Sequence, residues 1–391
     1  MDRNRLLTRA VQAGQWAVTN QIANGNSADN GRYPRSFDVP TEQEWLASCW
    51  LQGVEMKALL ALYEATGDDE YLQSCRRAAR YLMSLQQMDA RDAMTYGYIR
   101  ETTPQTMEGH PRDALTAAWA MLLLHRAEPD ERLLDRVLLF AEWFVQHGMD
   151  DRYPYWTVYL DGRLPFRQRG SFHGGSPGFL HDLFEATGEE RWLTPARKIL
   201  DFHIDTFLEK EGGLKITVAP DSGEDLTGKE DLAWEHMHKF NDDFTALAEM
   251  KLGVLAGEQK YTEAGLRFCR HLLANQQANG GFGDPVVPSA SGVGALTLSR
   301  AAQVDPQNAD KYTQAAERAV EHILSLQETE SEDPRIRGGF YGQSEQDNER
   351  WQDSHTSRRC IHLRTTSYST SALAMIGGRC RQSYYNVAIG G

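Results

Sequence analysis

The chain has 391 residues, of which 41% are hydrophobic and 25% are charged, and its formal net charge is −14 at pH 7. This composition supplies a large apolar core. The acidic excess argues against nucleic acid or an anionic membrane surface as partner, because both attract basic proteins. It does not exclude a small anionic substrate, which responds only to the local field. The sequence leaves the oligomeric state open.

The N-terminus and the cysteines indicate the compartment. Residues 1–18 contain no apolar run long enough for a secretion signal, and no segment approaches the ~20 apolar residues of a membrane span. The five cysteines are odd in number and widely spread, which favours reduced thiols over a disulfide framework. We therefore expect a cytoplasmic protein, provided that no leader has been removed.

Helical patterns of two types alternate along the chain. An apolar helix rich in small residues ends at a glycine, and an acidic turn then starts an amphipathic helix, as in LYEATGDDEYL, LFEATGEERWL and LGVLAGEQKYT. The glycine suits a helix C-cap, and the acidic pair suits the positive end of the next helix dipole. Helices of the first type are predicted at Cys49–Thr66, Asp113–Arg126, Pro177–Thr187, Asp242–Ala256, Ser291–Ala302 and Thr366–Ile376.

The second type is amphipathic enough to face solvent. Helices of this type are predicted at Arg5–Ile22, Tyr71–Gln87, Glu131–His147, Trp192–Leu208, Tyr261–Gln277 and Tyr312–Gln327. The N-terminal helix and the last helix of the first type each lack a sequence neighbour, so pairing them closes a ring. We predict an all-α fold, a single (α/α)6 toroid over residues 1–391 with six inner and six outer helices. Its N-terminal helix closes the ring with the last inner helix. An open solenoid is the structural alternative.

Long connections lead into the inner helices and collect aromatic, histidine and charged residues. They enter at the same end of the ring, where they would form a funnel, and connections of this length tend to be functional. Aromatic rings stack on sugar faces, while arginines and carboxylates bind hydroxyl groups or uronates. The residues that we expect to bind substrate are Trp50, Tyr98, His110, Arg112, Trp156, Trp234, His236, His238, Asp243, Tyr341 and Arg364.

Four residues are candidates for catalysis. Asp113 and Asp242 stand where inner helices begin, and two carboxylates from different helices suit the acid/base pair of glycoside hydrolysis. His173 precedes two glycines that would let substrate approach the backbone, and it is a candidate general base. Tyr368 follows Arg364 in the last inner helix, which suits β-elimination from a uronate, with the tyrosine protonating the leaving oxygen.

Each candidate also has a purely structural explanation. The carboxylates suit the positive end of a helix dipole, His173 suits a helix cap, and Tyr368 suits core packing. Adjacent helical residues diverge by ~100°, so one of Asp242 and Asp243 must point away from the ring axis.

We expect no cofactor. His236 and His238 lie two residues apart, and with Glu235 or Asp242 they form the one candidate set for a divalent metal. This alternative is the weaker one, because no second pair of histidines or cysteines has ligand spacing.

The alternating helices, the EATGDDEYL-type junctions and the aromatic connections resemble the (α/α)6-toroid carbohydrate-active enzymes. These include glycoside hydrolases, polysaccharide lyases and sugar epimerases. The resemblance covers nearly the whole chain, but it is one of architecture, without a diagnostic motif. It implies an enzyme that cleaves an oligo- or polysaccharide by hydrolysis or β-elimination in the funnel. A uronate-containing glycan is one of the substrates that the resemblance implies.

Two shorter segments resemble other toroid families. QQANGGFGDP is similar to the repeat turns of prenyltransferase β-subunits and squalene-cyclase-like proteins, and SFHGGSPG looks like the helix entrances of lanthionine-cyclase-like proteins. The zinc-ligand spacings of these families are absent, and Asn241-Asp242-Asp243 matches the DxDD motif of terpene cyclases only in part. A terpene cyclase or prenyltransferase acting on an isoprenoid is one alternative function. A non-catalytic binding toroid, or a protein of lanthionine-cyclase type, is another.

Overall fold

The computed structural model describes residues 1–164, 168–229, 233–283, 286–342 and 359–378. In chain order its helices are α1 (Arg3–Asn20), α2 (Cys49–Thr66), α3 (Asp69–Leu85), α4 (Pro111–Ala127), α5 (Glu131–Trp143), α6 (Ser176–Thr187), α7 (Leu193–Thr206), α8 (Ala233–His238), α9 (Thr245–Ala256), α10 (Gln259–Asn275), α11 (Pro288–Val304), α12 (Ala309–Leu326) and α13 (Leu363–Gly378). Apart from the short α8, these are the predicted helices, with ends that differ by a few residues.

The inner helices α2, α4, α6, α9, α11 and α13 form a closed ring, in which each packs against the next and α13 packs against α2. The close approach needs small residues, as expected. A Cβ atom at Gly53 of α2 would lie 2.6 Å from the carbonyl oxygen of Thr116 on α4, so only glycine permits this contact. The predicted all-α (α/α)6 toroid is confirmed.

The junctions between inner and outer helices have the predicted caps. Gly67 and Gly188 end α2 and α6 with φ of 73° and 71°, and each donates its N–H to a carbonyl oxygen of the last helical turn at 2.7 Å. Asp68 begins α3 by accepting a hydrogen bond from the Glu70 N–H. Left-handed glycines and N-terminal carboxylates thus explain the repeated junction.

Glutamines that follow outer helices tie neighbouring outer helices together. After α3, Gln86 donates from Nε2 to the carbonyl oxygens of Gly97, in its own turn, and Arg136, on α5, both at 2.9 Å. After α10, Gln276 makes the same pair of bonds to a glycine of its turn and to Ala315 on α12, again at 2.9 Å. One side chain therefore satisfies carbonyl groups of two elements.

The third copy of this arrangement joins the last outer helix to the first. Gln327, after α12, donates to the carbonyl oxygen of Gly338 at 3.0 Å and to that of Arg9 on α1 at 2.9 Å. Helix α1 also packs against α13. The first and last described helices thus meet. The domain bounds 1–391 stay a prediction, because residues 379–391 lie outside the described part of the chain.

Short strands occupy the connections that lead into the inner helices. They are β1 (Pro34–Asp38), β2 (Gln43–Leu46), β3 (Glu108–Gly109), β4 (Val158–Tyr159), β5 (Arg169–Gly170), β6 (Thr217–Val218), β7 (Tyr341–Gly342) and β8 (Cys360–His362). They form an antiparallel sheet of order β2-β1-β8-β7 and the pairs β3-β4 and β5-β6. This is the end of the ring at which the funnel was predicted.

Two observations bear on the compartment. None of the described helices combines the length and the apolar character that crossing a bilayer requires. Cys49, Cys75, Cys269 and Cys360 are buried thiols, and Cys380 lies outside the described residues. The cytoplasmic location stays a prediction.

Gln327→Ala should lower the free energy of unfolding by about 1–3 kcal/mol, because the substitution removes two hydrogen bonds, one of them to the buried carbonyl oxygen of Gly338. Urea unfolding measures the difference. Gln314→Ala is the control, since Gln314 lies exposed on the same helix α12, and its effect should stay below about 0.5 kcal/mol. Equal effects of the two substitutions would show that closure does not depend on Gln327.

Candidate active site

A cavity of about 240 Å³ lies where the inner helices begin. Its lining is supplied by α2, the entrances of α4, α6 and α9, and the first turn of α13. The lining residues are Trp50, His110, Arg112, Asp113, Trp156, Phe172, His238 and Arg364. All of these except Phe172 are among the predicted site residues, so the ring brings together groups from residue 50 to residue 364.

Arg112 bridges two carboxylates at the cavity floor. Its Nε and Nη2 atoms both lie 2.7 Å from Oδ1 of Asp113, and its Nη1 lies 3.5 Å from Oδ2 of Asp243. The guanidinium carbon is 4.8 Å from the ring centroid of Trp50 and 5.1 Å from that of Phe172. Burial alone would lower the pKa of Arg112, but the two carboxylates hold it above its usual value.

A strained turn presents Asp243 to the ring interior. Helix α9 begins at Thr245 rather than at Asp242, because Asp243 and Phe244 adopt φ of 51° and 69°. Non-glycine residues rarely enter this region, and such strain clusters at functional sites. Asp242 stabilises the turn, since its Oδ2 accepts a hydrogen bond from the Ala246 N–H at 2.7 Å.

Asp243 has further partners below the cavity. The Tyr368 hydroxyl donates to Oδ1 of Asp243 at 3.0 Å, and burial together with this carboxylate raises the pKa of Tyr368 well above its usual value. Lys57, buried on α2, places Nζ 3.8 Å from the ring centroid of Trp119. Burial lowers the pKa of Lys57 to about 7, although Asp243 opposes the shift. This environment suits a carboxylate at Asp243.

The backbone sets the tautomer of His238. Nδ1 of His238 lies 3.1 Å from the carbonyl oxygen of Asn241. Because a carbonyl oxygen only accepts, this Nδ1 carries a proton, and a neutral ring keeps its lone pair on Nε2. Nδ1 of His110 lies 3.2 Å from both the carbonyl oxygen of Trp156 and the hydroxyl oxygen of Thr157. Burial and nearby guanidinium groups lower the pKa of His238 well below its usual value.

Glu101 was not predicted, and it stands beside Asp113. Its Oε1 accepts a hydrogen bond from the His110 N–H at 2.9 Å, and its Oε2 accepts one from the Cys49 thiol at 3.6 Å. Burial and the charge of Asp113 raise the pKa of Glu101 well above its usual value. Glu101 therefore keeps its proton to higher pH than an ordinary glutamate, next to an acid that lines the cavity.

Several predicted site residues lie elsewhere. His173 is fully buried behind Phe172 and packs edge-on against Tyr153, so it is not part of the cavity wall. Tyr98 is also fully buried, and its hydroxyl occupies the space above Gly109 that a Cβ atom would fill. The structure thus gives both residues packing positions, in place of the general-base and substrate-binding positions that were predicted.

The two adjacent aspartates point in different directions. Asp242 is 2% exposed, and the turn directs it away from the axis, while Asp243 faces Arg112 and Tyr368. Neither aspartate lines the cavity itself, and Asp243 reaches it through its contact with Arg112. Tyr341 lies in β7, with its hydroxyl 3.5 Å from Glu328, and does not line the cavity. The side chains predicted to bind substrate that fall outside the described residues are Trp234 and His236.

The paired glycines of SFHGGSPG position this turn. A Cβ atom at Gly175 would lie 2.7 Å from the carbonyl oxygen of Asp243, and one at Gly174 would lie 2.1 Å from the hydroxyl oxygen of Thr245. Only glycines allow the entrance of α6 to pack this closely on residues 243–245. The glycines make room for the α9 entrance. The sequence had predicted instead that they let substrate approach the backbone.

Of the candidate metal ligands, His238 lines the cavity, whereas Glu235 bonds to groups outside its lining. The carboxylate of Glu235 accepts hydrogen bonds from Thr217 and from the Gly228 N–H. Among the described residues, a group with spacing suited to a metal is formed by His181, Asp182 and Glu185 on α6. There Asp182 already pairs with Lys251 at 2.8 Å. The absence of a cofactor stays a prediction.

Comparison with known proteins gives similarity of structure alone. No family model matches the chain, and no curated protein matches its sequence. The fold is similar to the unsaturated glucuronyl hydrolase of Bacillus sp. GL1, with 16% identity over 98% of this chain and 100% of that one and a TM-score of 0.70. It is also similar to the cellobiose 2-epimerase of Bacillus thermoamylovorans, with 11% identity over 95% and 99% of the chains and a TM-score of 0.72.

A third similar structure is the α-1,6-mannanase of Salegentibacter sp. HEL1_6, with 15% identity over 95% of this chain and 99% of that one and a TM-score of 0.67. It is an inactive variant, with two adjacent aspartates replaced by asparagine, in complex with α-1,6-mannotriose. The predicted resemblance to (α/α)6-toroid carbohydrate-active enzymes is confirmed. At these identities the similarity establishes the fold.

Asp242→Asn should change the pH dependence of stability. Burial raises the pKa of Asp242 to about 7, so between pH ~4 and ~7 the folded chain binds this proton more tightly than the unfolded chain. The wild-type free energy of unfolding loses this contribution as the pH rises. The stability of Asp242→Asn relative to wild type should therefore grow from pH 4 to pH 7, by at most about 4 kcal/mol, and then level off.

Urea unfolding at several pH values measures this difference. Asp205→Asn, at an exposed position on α7, is the control for the substitution itself. A stability difference for Asp242→Asn that does not change with pH would contradict the buried titration.

Proposed function

We propose that the chain is a carbohydrate-active enzyme that hydrolyses glycosidic bonds of an oligo- or polysaccharide in this cavity. One observation carries the proposal: Arg112 bridges Asp113, in the first turn of α4, and Asp243, in the turn before α9, beside an aromatic wall. Glycoside hydrolysis uses two carboxyl groups on opposite sides of the scissile bond. The predicted pair is retained with Asp243 in place of Asp242.

The surroundings of the two acids suit different roles. Asp243 accepts a hydrogen bond from Tyr368 and faces Arg112, which suits the carboxylate that attacks the anomeric carbon or removes a proton from the attacking water. Asp113 lies beside Glu101, a carboxyl group that retains its proton. The proton that this pair of acids holds suits the acid side of the reaction, where it passes to the glycosidic oxygen as the bond from that oxygen to the anomeric carbon breaks. Pairs of acids in contrasting environments are typical of such sites.

The cavity shape supports a sugar ligand of limited size. Trp50, Trp156 and Phe172 offer ring faces for a pyranose. The volume of about 240 Å³ lies below the ~300–1,000 Å³ of pockets for drug-sized ligands, which favours about one sugar unit inside the cavity. The mannanase that binds mannotriose, inactive without two adjacent aspartates, offers a parallel to Asp242 and Asp243.

The isoprenoid alternative is not favoured by the cavity lining. That chemistry calls for mainly apolar and aromatic walls, whereas charged or titratable residues make up the majority of this lining: His110, Arg112, Asp113, His238 and Arg364. If no glycan is cleaved, the chain is instead a non-catalytic binding toroid.

β-Elimination from a uronate is the second candidate, favoured by His238. This histidine lines the cavity, is kept neutral by burial, and carries its proton on Nδ1, so Nε2 suits removal of the proton on C5. The electron pair then forms the C4–C5 double bond, the bond from C4 to the glycosidic oxygen breaks, and that oxygen takes up a proton.

The products separate the two candidates. Hydrolysis should release reducing ends without new ultraviolet absorbance when the chain is incubated with a panel of neutral and uronate-containing glycans. Elimination should release reducing ends together with the absorbance of an unsaturated uronate. Binding without any new reducing end would reject both reactions.

Asp243→Asn and Asp113→Asn should each lower kcat about 10²–10⁴-fold, because each removes a proton-transferring or attacking group. Asp242→Asn is the matched control: its amide oxygen can still accept the Ala246 N–H, so kcat should stay within about tenfold of wild type at pH 6. Initial rates of reducing-end release measure all three. A loss confined to Asp242→Asn would restore the assignment predicted from the sequence.

A further inference from the structure

Arg364 has an unsatisfied edge beside the cavity. It lies in the first turn of α13, lines the cavity and is 8% exposed. Its Nη1 lies 3.4 Å from the sulfur of Met237, and its guanidinium carbon lies 5.2 Å from the ring centroid of Trp50. Among the described residues, its Nε and Nη2 atoms have no hydrogen-bond partner.

These two atoms form the guanidinium edge that binds carboxylates in parallel. The chain contains an example on its outer surface, where Nε and Nη2 of Arg76 lie 2.6 and 2.5 Å from the two carboxylate oxygens of Glu128. Such a two-point contact matches the planar geometry of a carboxylate, and an ammonium group cannot reproduce it. The edge of Arg364 that is left unpaired is thus the one suited to this ligand.

The positive charge of Arg364 is not balanced by a direct contact with a nearby acid in the described part of the chain. The acids nearby, Asp113 and Asp243, are bound by Arg112, which is itself a second cation close to Arg364. Burial and this neighbouring cation lower the pKa of Arg364 from its usual value. Burying the charged Nε and Nη2 groups without hydrogen-bond partners is unfavourable. A ligand that places a carboxylate at this edge would supply those partners.

We propose that the Nε and Nη2 edge of Arg364 binds the carboxylate of a sugar acid, and that the glycan handled in this cavity carries a uronate. The aromatic wall beside Arg364 favours a pyranose ring over a simple organic anion. A sugar ring can stack on the faces of Trp50 and Trp156, whereas a small carboxylate has no ring with which to do so. The claim that this sugar acid is part of the substrate rests on the proposed function. The claim that Arg364 binds it does not.

Isothermal titration with D-glucuronate, D-galacturonate, D-glucose, D-galactose and acetate tests the proposal. The wild-type chain should bind at least one uronate about tenfold or more tightly than the matching neutral sugar. Arg364→Met should abolish this preference, and Arg364→Lys, which keeps the charge but lacks the paired N–H edge, should retain only part of it. Arg80→Met, at an exposed position on outer helix α3, should behave as wild type.

Three results of the titration would overturn the proposal. Equal affinity for uronate and neutral sugar would show that the carboxylate is not recognised, and acetate binding as tightly as uronate would indicate an adventitious anion only. A uronate preference that survives in Arg364→Met would place recognition elsewhere.

The melting temperature gives a second readout that needs no ligand. Removing an unpaired buried cation should leave the melting temperature of Arg364→Met unchanged or higher. A large fall would show that the chain itself supplies the partner of Arg364, which would contradict the proposal. Uronate binding that depends on Arg364 without any glycan cleavage would reject the proposed function and keep this inference. Cleavage of neutral glycans by Arg364→Met at the wild-type rate would keep the proposed function and reject uronate recognition by Arg364.

Discussion

Closure of the inner ring is the constraint on which the site depends. Helix α13 must pack against α2 for the first turn of α13 to meet Trp50, and this packing joins the two ends of the described chain. On the outer layer, Gln327 completes the same closure by linking α12 to α1. Because the inner helices alternate with outer ones that return the chain, their N-terminal ends all gather at one end, together with the positive ends of their dipoles.

That concentration of positive dipole ends and cations explains the electrostatics of the cavity. Arg112 and Arg364 lie near one another, and both flank Trp50. Asp113 and Asp243 balance one of these cations by direct contact and leave the other unpaired. The positive φ of Asp243 directs its carboxylate toward Arg112. The glycines at the α6 entrance leave space for this strained turn to pack.

The fold was predictable because helical periodicity, glycine caps and small inner residues are all local signals that agree. Most of the cavity residues were predictable for a related reason: they stand at or near the entrance of an inner helix, as Arg112 and Arg364 do. The orientation of Asp242 and Asp243 was not predictable, since it depends on a left-handed turn held by the neighbouring α6 entrance. The positions of His173 and Tyr98 depend on burial by distant segments. Glu101 carried no motif, although a lysine within the apolar helix α2 was a signal for Lys57.

Chemical rescue at position 243 can show whether the carboxylate of Asp243 reacts. Glycine tolerates the positive φ found there, so Asp243→Gly should keep the turn while removing the carboxylate. Asp243→Gly should be nearly inactive on a glycan that the wild-type chain cleaves, and added formate or azide should restore cleavage by supplying the missing nucleophile or base. Asp243→Gly with wild-type activity, or rescue of Asp242→Gly instead by these anions, would show that the carboxylate of Asp243 is not the reacting group.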